Sequence, residues 1–173
     1  ARHIGVDLDN DDWQAIGLSR RSPTFDTTAR FIAVDLTDAA SCQAALTDLG
    51  DVTHIFHSAV FVGNSPDEEV APNLAMLVNL IDTVEPMAPG LAHVQLMQGT
   101  KWYGNHLGSF KTPAREDDPR IPGGNFYYAQ QDWLEKRQKG TSWSWSGLRP
   151  HGIWGFSVGS PMSQLTGLGV YAT

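Results

Sequence analysis

Short apolar runs alternate with longer amphipathic stretches along this chain, and the alternation predicts an α/β fold. The runs fall at residues 13–18, 31–34, 52–58, 92–97 and 143–148, the length of buried strands. Between them the pattern changes to helical. Asp38 is placed to cap a helix over 39–49, and a long helix is predicted over 66–84. In that helix Leu74, Leu77, Val78 and Ile81 recur at three- and four-residue spacing, which makes one buried face. Asn125 is placed to cap a helix reaching 139, and a last helix is predicted from Met162. Residues 1–12 read as a helix end followed by an acidic loop. Strands alternating with helices make βαβ units, hence a parallel sheet with right-handed crossovers. Residues 99–124 interrupt the rhythm with a long loop rich in glycine and proline, and loops of that length in compact domains are usually functional.

Composition narrows the class. The 173 residues are 41% hydrophobic, enough for one domain with a core rather than a disordered chain. A net charge of −7 and a pI near 5.2 argue against a nucleic-acid binder, which needs clustered basic residues. Cys42 is the single cysteine, so no internal disulfide forms and a reducing cytoplasm is the expected compartment. No apolar run is long enough to span a membrane, and no signal peptide opens the sequence.

The chemistry concentrates past the ends of the predicted strands, where the ligand crevice of an open parallel sheet lies. Gln98-Gly99-Thr100-Lys101-Trp102-Tyr103-Gly104 puts a lysine just beyond the fourth strand. Asn125-Phe126-Tyr127-Tyr128 puts two adjacent tyrosines at a helix start. A lysine and a tyrosine meeting there form a proton-handling pair. The ammonium favours the phenolate and is expected to pull the phenol below its reference pKa of about 10. Arg20 and Arg21 follow the first predicted strand, where dinucleotide enzymes place an acid for a ribose hydroxyl or an arginine for a 2′-phosphate. The six histidines show no ligand spacing: His54 and His57 are three apart on a strand and face opposite sides. Neither Ser58 nor Ser109 sits in a nucleophile elbow, so a metal site and a serine hydrolase are both disfavoured.

Several motifs in fixed order resemble one family. Gly99-Thr100-Lys101-Trp102-Tyr103-Gly104, Glu116-Asp117-Asp118-Pro119-Arg120, Asn125-Phe126-Tyr127-Tyr128 with Asp132, and Arg149-Pro150 followed by Ile153-Trp154-Gly155-Phe156-Ser157 resemble the progesterone 5β-reductase/iridoid synthase-like (PRISE) group of short-chain dehydrogenases/reductases. Gly17 to Arg21, Asp35-Leu36 and Asp51 to Phe56 match it in kind and order, so the resemblance covers nearly the whole chain. It implies a Rossmann-like doubly wound parallel sheet of the extended short-chain dehydrogenase/reductase type, in a single partial domain that binds NADPH. The family's catalytic lysine falls on Lys101 and its tyrosine on Tyr127. Most short-chain dehydrogenases carry the lysine four residues after the tyrosine. Those positions here are Gln131 and Asp132, so the lysine must come from elsewhere.

The resemblance further implies cofactor contacts from Arg20, Arg21, Asp35, Leu36, Ala59, Gln98, Tyr127, Ile153, Ser160 and Met162, and an apolar substrate pocket walled by Trp102, Tyr103, Phe126 and Trp154. The activity it implies is NADPH-dependent reduction of the C=C bond of an enone, with a small apolar carbonyl compound as substrate. A homodimer is one assembly open to it. Carbonyl reduction by the same pair is the alternative, as is a dinucleotide-sensing or partner-binding protein without turnover. Tyr128 stays open as the tyrosine. The family begins with a strand and a Gly-rich phosphate turn that do not precede Trp13, and it continues past residue 173. The chain is therefore expected to be a fragment, its missing strand lying between the first and third strands named above.

Overall fold

The computed structural model describes residues 13–23, 27–153 and 168–171. The five apolar runs become strands β1 (Ile16–Ser19), β2 (Arg30–Ala33), β3 (His54–His57), β4 (His93–Met97) and β5 (Ser144–Leu148). Helices α1 (Ala39–Ala45), α2 (Pro66–Val84) and α3 (Phe126–Arg137) connect them. All pairings are parallel. β1 pairs with β2, while β3, β4 and β5 form a second sheet with β4 in its middle.

The two sheets share one apolar core. Val34, Leu36, Leu46, Ile55, Leu77, Ile81, Val94, Leu96, Leu134 and Trp143 are buried in it, and Ile16, Leu18 and Ile32 of the smaller sheet pack against it. Among the described residues β1 and β3 do not pair, and a groove of about 1180 Å3 is lined by residues of both. The sheet thus divides where the sequence reading puts a further central strand.

The boundaries differ from the sequence expectations in physical ways. β1 begins at Ile16 rather than at 13, and β3 keeps only four residues of its longer apolar run. The first helix stops at Ala45 instead of 49, because Leu46 and Leu49 turn into the core and Gly50 follows. In α2 the buried stripe is rotated from the expected one. It runs through Glu69, Asn73, Met76, Leu77, Leu80, Ile81 and Val84, while Leu74 and Val78 stay half-buried. The stripe is wider than the apolar pattern because α2 packs against α3 as well as against the sheet. The predicted loop at 99–124 contains a 3-10 turn, Thr100–Tyr103, closed by Gly104 at φ +85°, a left-handed conformation that glycine adopts without strain. The helix predicted from Met162 begins outside the described residues. Among those described, no helix is long and apolar enough to cross a membrane.

Buried polar groups tie α2 to its surroundings. Asn73 is fully buried and latches the loop after β3: its amide donates to Phe61 O (2.8 Å) and Glu69 O (2.7 Å), and its Oδ1 accepts from Phe61 N (2.8 Å). Gln130 of α3 donates to Asn73 O (3.0 Å) and to His57 Nε2 (3.4 Å). Burial lowers the pKa of His57 to about 4. The unfolded chain protonates this imidazole near 6.5, so between those values the unfolded state binds more protons and stability falls as pH falls. We expect a loss of about 3 kcal/mol between pH 6.5 and 4, read from urea unfolding midpoints. His57→Leu should flatten that slope; an unaltered slope would remove His57 as its cause.

Candidate active site

The carboxyl ends of the strands carry two groups of residues. The first surrounds the β1–β3 groove. Arg20 and Arg21 leave β1, Asp35 and Leu36 follow β2, and Ala59 follows β3, and all five line it. The Asp35 carboxylate accepts from Thr37 Oγ1 (2.7 Å) and Thr37 N (2.9 Å). Those bonds, with the Arg20 guanidinium nearby, hold its pKa below the usual carboxylate range. Asp35 is therefore engaged in its own turn, while Leu36 is a core residue with one edge on the groove.

The second group lies beyond β4 and β5. Gln98 ends the run of β4, its backbone amide bonded to Leu148 O of β5, and the 3-10 turn carrying Lys101 follows. Asn125 joins that turn to the next helix. Its Oδ1 caps α3 by accepting from Tyr127 N (3.1 Å), and its amide donates to Lys101 O (3.1 Å). A cap choice legible in the sequence thus also fixes the lysine against the tyrosine. Asn125→Ala is expected to cost about 1–2 kcal/mol through the lost cap and to loosen the turn, a change to be followed by thermal melting.

The adjacent tyrosines have different surroundings. Tyr128 is buried, donates its hydroxyl to Trp102 O (2.5 Å) and accepts from Ile121 N (3.1 Å). Tyr127 is half-buried, and its hydroxyl makes no hydrogen bond among the described residues. It faces Gly99, where an added Cβ would sit 3.5 Å from the oxygen.

One expectation is overturned here. The Lys101 ammonium does not lower the pKa of Tyr127. Lys101 Nζ is hydrogen-bonded to Glu69 Oε2, and the Tyr127 phenol is raised above its ordinary value, first by burial and then by the Glu69 charge. A neutralised ammonium cannot outweigh desolvation.

Arg149, just past β5, locks the second group. Its guanidinium lies 3.8 Å from the Trp102 ring centre and donates to Gln98 Oε1 (3.2 Å), Tyr103 OH (3.1 Å) and Gln131 Oε1 (3.3 Å). Gln131 also accepts from Trp102 Nε1 (3.3 Å). Gln131, four residues after Tyr127, thus helps to hold the turn that bears Lys101.

The four expected pocket residues separate. Trp102 (3% exposed) is packed beneath Arg149 and against Tyr128. Phe126 is buried against Tyr127, with Lys101 Nζ 5.4 Å from its ring centre. Tyr103 lines a hollow of about 370 Å3 with Leu107, Phe110 and Ile121 of the long loop. Trp154 lies outside the described residues, as do Ser160 and Met162. Ile153 is 67% exposed, and Gln98 is buried, donating to Tyr127 O (3.2 Å).

Sequence reading missed Glu69, Asn73, Asn125's second bond and the Arg149 network. The signal for the first two was present. They fall on the helical stripe that continues through Leu77 and Ile81, and a polar residue in register with a buried face has been placed there to meet a partner. Among the described residues no three His, Cys, Asp or Glu side chains converge to hold a metal ion.

A family model described as a PRISE-like Rossmann-fold domain matches residues 33–172. The chain belongs to this family. Among similar proteins, an (S)-8-oxocitronellyl enol synthase of Nepeta cataria is 38% identical over 172 residues, which cover 92% of this chain and 43% of that protein. The 3-oxo-Delta(4,5)-steroid 5-beta-reductase of Arabidopsis thaliana is likewise 38% identical, with 92% and 44% covered. A short chain dehydrogenase of Penicillium aethiopicum is 36% identical, with 95% and 44% covered. The chain spans less than half the length of these curated relatives.

Solved structures share its fold. A UDP-glucose 4-epimerase superposes with a TM-score of 0.72 at 13% identity, covering 90% of this chain and 49% of its own. A short-chain dehydrogenase/reductase superfamily protein from Agrobacterium tumefaciens with bound NAD superposes at 0.67 and 18% identity, covering 86% and 44%. At such identities the likeness carries the Rossmann fold alone.

Proposed function

We propose that the protein containing this chain is an NADPH-dependent oxidoreductase that reduces the C=C bond of an enone, acting on a small apolar carbonyl compound. The observation that carries this reading is the contrast between the tyrosines at the carboxyl edge of β4. The Tyr128 hydroxyl is consumed by Trp102 and Ile121, whereas the Tyr127 hydroxyl, beside Gly99, makes no hydrogen bond among the described residues. Relatives named as an enol synthase and a steroid 5-beta-reductase support the same class.

The described residues fit the adenosine side of a dinucleotide. Two guanidinium groups at the end of β1 suit a phosphate, and Leu36 and Ala59 give the same groove an apolar wall for a base. When bound, NADPH supplies a hydride to the carbon β to the carbonyl. This chain's own contribution is electrostatic: the Tyr127 hydroxyl donates a hydrogen bond to the carbonyl oxygen, where negative charge develops as the enolate forms. Gln98 and Asn125 hold the backbone of Tyr127, and Asn125 and Arg149 hold the turn of Lys101.

The test is to supply the intact protein with NADPH and, side by side, an enone and its saturated ketone. Cofactor oxidation with the enone, giving a saturated C–C bond by mass spectrometry, is expected, and none with the ketone. Turnover of the ketone alone would replace this reading with carbonyl reduction. Saturable cofactor binding without turnover across a broad enone panel would replace it with dinucleotide sensing.

A further inference from the structure

The first turn of α2 carries three acidic residues, Asp67, Glu68 and Glu69, and only Glu69 points inward (8% exposed). Burying a carboxylate costs several kcal/mol unless it is paired, so its place on the core stripe of α2 calls for a partner. That partner is the Lys101 ammonium from the 3-10 turn after β4. The backbone beneath the carboxylate is fixed. Asn73, one helical turn on, grips Glu69 O and the loop at Phe61, and Gln130 of α3 holds Asn73 in turn. Lys101 Nζ also lies 5.4 Å from the Phe126 ring centre, and Phe126 packs on the Tyr127 ring at 4.4 Å. The ion pair therefore sits within one ring of the unengaged phenol.

We propose that Glu69 is a positioning residue of this site: it draws the Lys101 ammonium into a neutral pair, so that Tyr127 stays a protonated hydrogen-bond donor instead of ionising. This deepens the reading above, because a donor aimed at an enolate oxygen must keep its proton. Burial and the Glu69 charge act on Tyr127 in the same direction, away from phenolate. Asp67, on the same turn of α2, is exposed and lies against Gly124, and two histidines stand near the turn of Lys101. The pKa of His106, in the loop after the turn, is lowered by partial desolvation and by Lys101, against the Glu69 charge, and His151 shares a hydrogen bond with Thr100 (3.2 Å). Of the charged groups here, Glu69 is the carboxylate that pairs with Lys101 and acts on Tyr127.

The experiment is a tyrosinate absorbance titration of the intact protein, with the Tyr127 signal isolated by difference against Tyr127→Phe. In Glu69→Gln, which keeps the shape and removes the charge, the Tyr127 midpoint is expected to fall by about one pH unit or more, the effect of an uncompensated nearby cation. Glu69→Asp should recover part of the shift. An unchanged midpoint in a Glu69→Gln protein with native melting overturns the proposal. Should Glu69→Gln fail to fold, Lys101→Met tests the opposite sign: it leaves Glu69 uncompensated and should raise the midpoint, and a fall overturns the proposal equally. The alkaline limb of enone turnover should move with the same midpoint. A shifted Tyr127 midpoint in a protein that turns over no enone leaves Glu69 in its role and sinks the enone reading alone.

Discussion

Tyr127→Phe is expected to lower turnover by about 10²–10⁴-fold with little change in melting temperature, and Tyr128→Phe to do the reverse. The two residues are adjacent and chemically identical, so the difference between them is one of surroundings. Removing the Tyr128 hydroxyl strands the buried Trp102 carbonyl and the Ile121 amide, at a cost of about 1–3 kcal/mol. Removing the Tyr127 hydroxyl strands nothing within the described residues, and the phenyl ring keeps its packing on Phe126. Its loss should therefore appear in kcat rather than in stability. Steady-state kinetics and thermal melting on the same two preparations make the comparison. A Tyr127→Phe protein with unchanged turnover would end the assignment of that hydroxyl, whatever Tyr128→Phe did.

The pair also shows what one sequence can and cannot carry. Asn125 was legible as a helix cap, and a cap fixes which residues begin the helix; both tyrosines followed from it. What separates them is one helical step, about 100° around the axis, and nothing local records which of those directions meets the Trp102 carbonyl. The strands and crossover helices were readable because buried parallel strands are short apolar runs and helices carry their own period. The ends of elements were less so: α1 stops where Leu46 finds the core, a tertiary event. Among the described residues β1 and β3 do not pair, and the rules of doubly wound topology put a further central strand at that place.

The electrostatics were misjudged for a specific reason. A lysine and a tyrosine beyond strand ends were read as a two-body problem, and in two bodies the ammonium wins. Burial of the phenol comes first, and the charge of Glu69, which comes from a helix more than thirty residues upstream and also pairs with Lys101, adds to it in the same direction. Pairs of ionisable residues read from sequence inherit this weakness whenever a third charge can arrive from another element.

Arg149→Met should be the most damaging of the structural changes, with a loss of about 3 kcal/mol in stability. The guanidinium makes three hydrogen bonds, to Gln98, Tyr103 and Gln131, while lying across the Trp102 ring. Methionine fills much of the volume over the indole but leaves the Gln98 and Gln131 carbonyl oxygens without that donor, and Gln98 is almost wholly buried. Arg149→Lys should recover little, because an ammonium cannot present donors in three directions within one plane while stacking on an aromatic face. The consequence reaches the site through the 3-10 turn. With Trp102 and Tyr103 released, Lys101 is held mainly by Asn125 and Glu69, so turnover should fall along with the urea midpoint. Tryptophan emission reports the step directly: a shift to longer wavelength under native conditions marks Trp102 reaching water. If Arg149→Met keeps the parent's emission, midpoint and turnover, the turn is fixed by Asn125 and the core alone, and the network around Arg149 is incidental to the placement of Lys101.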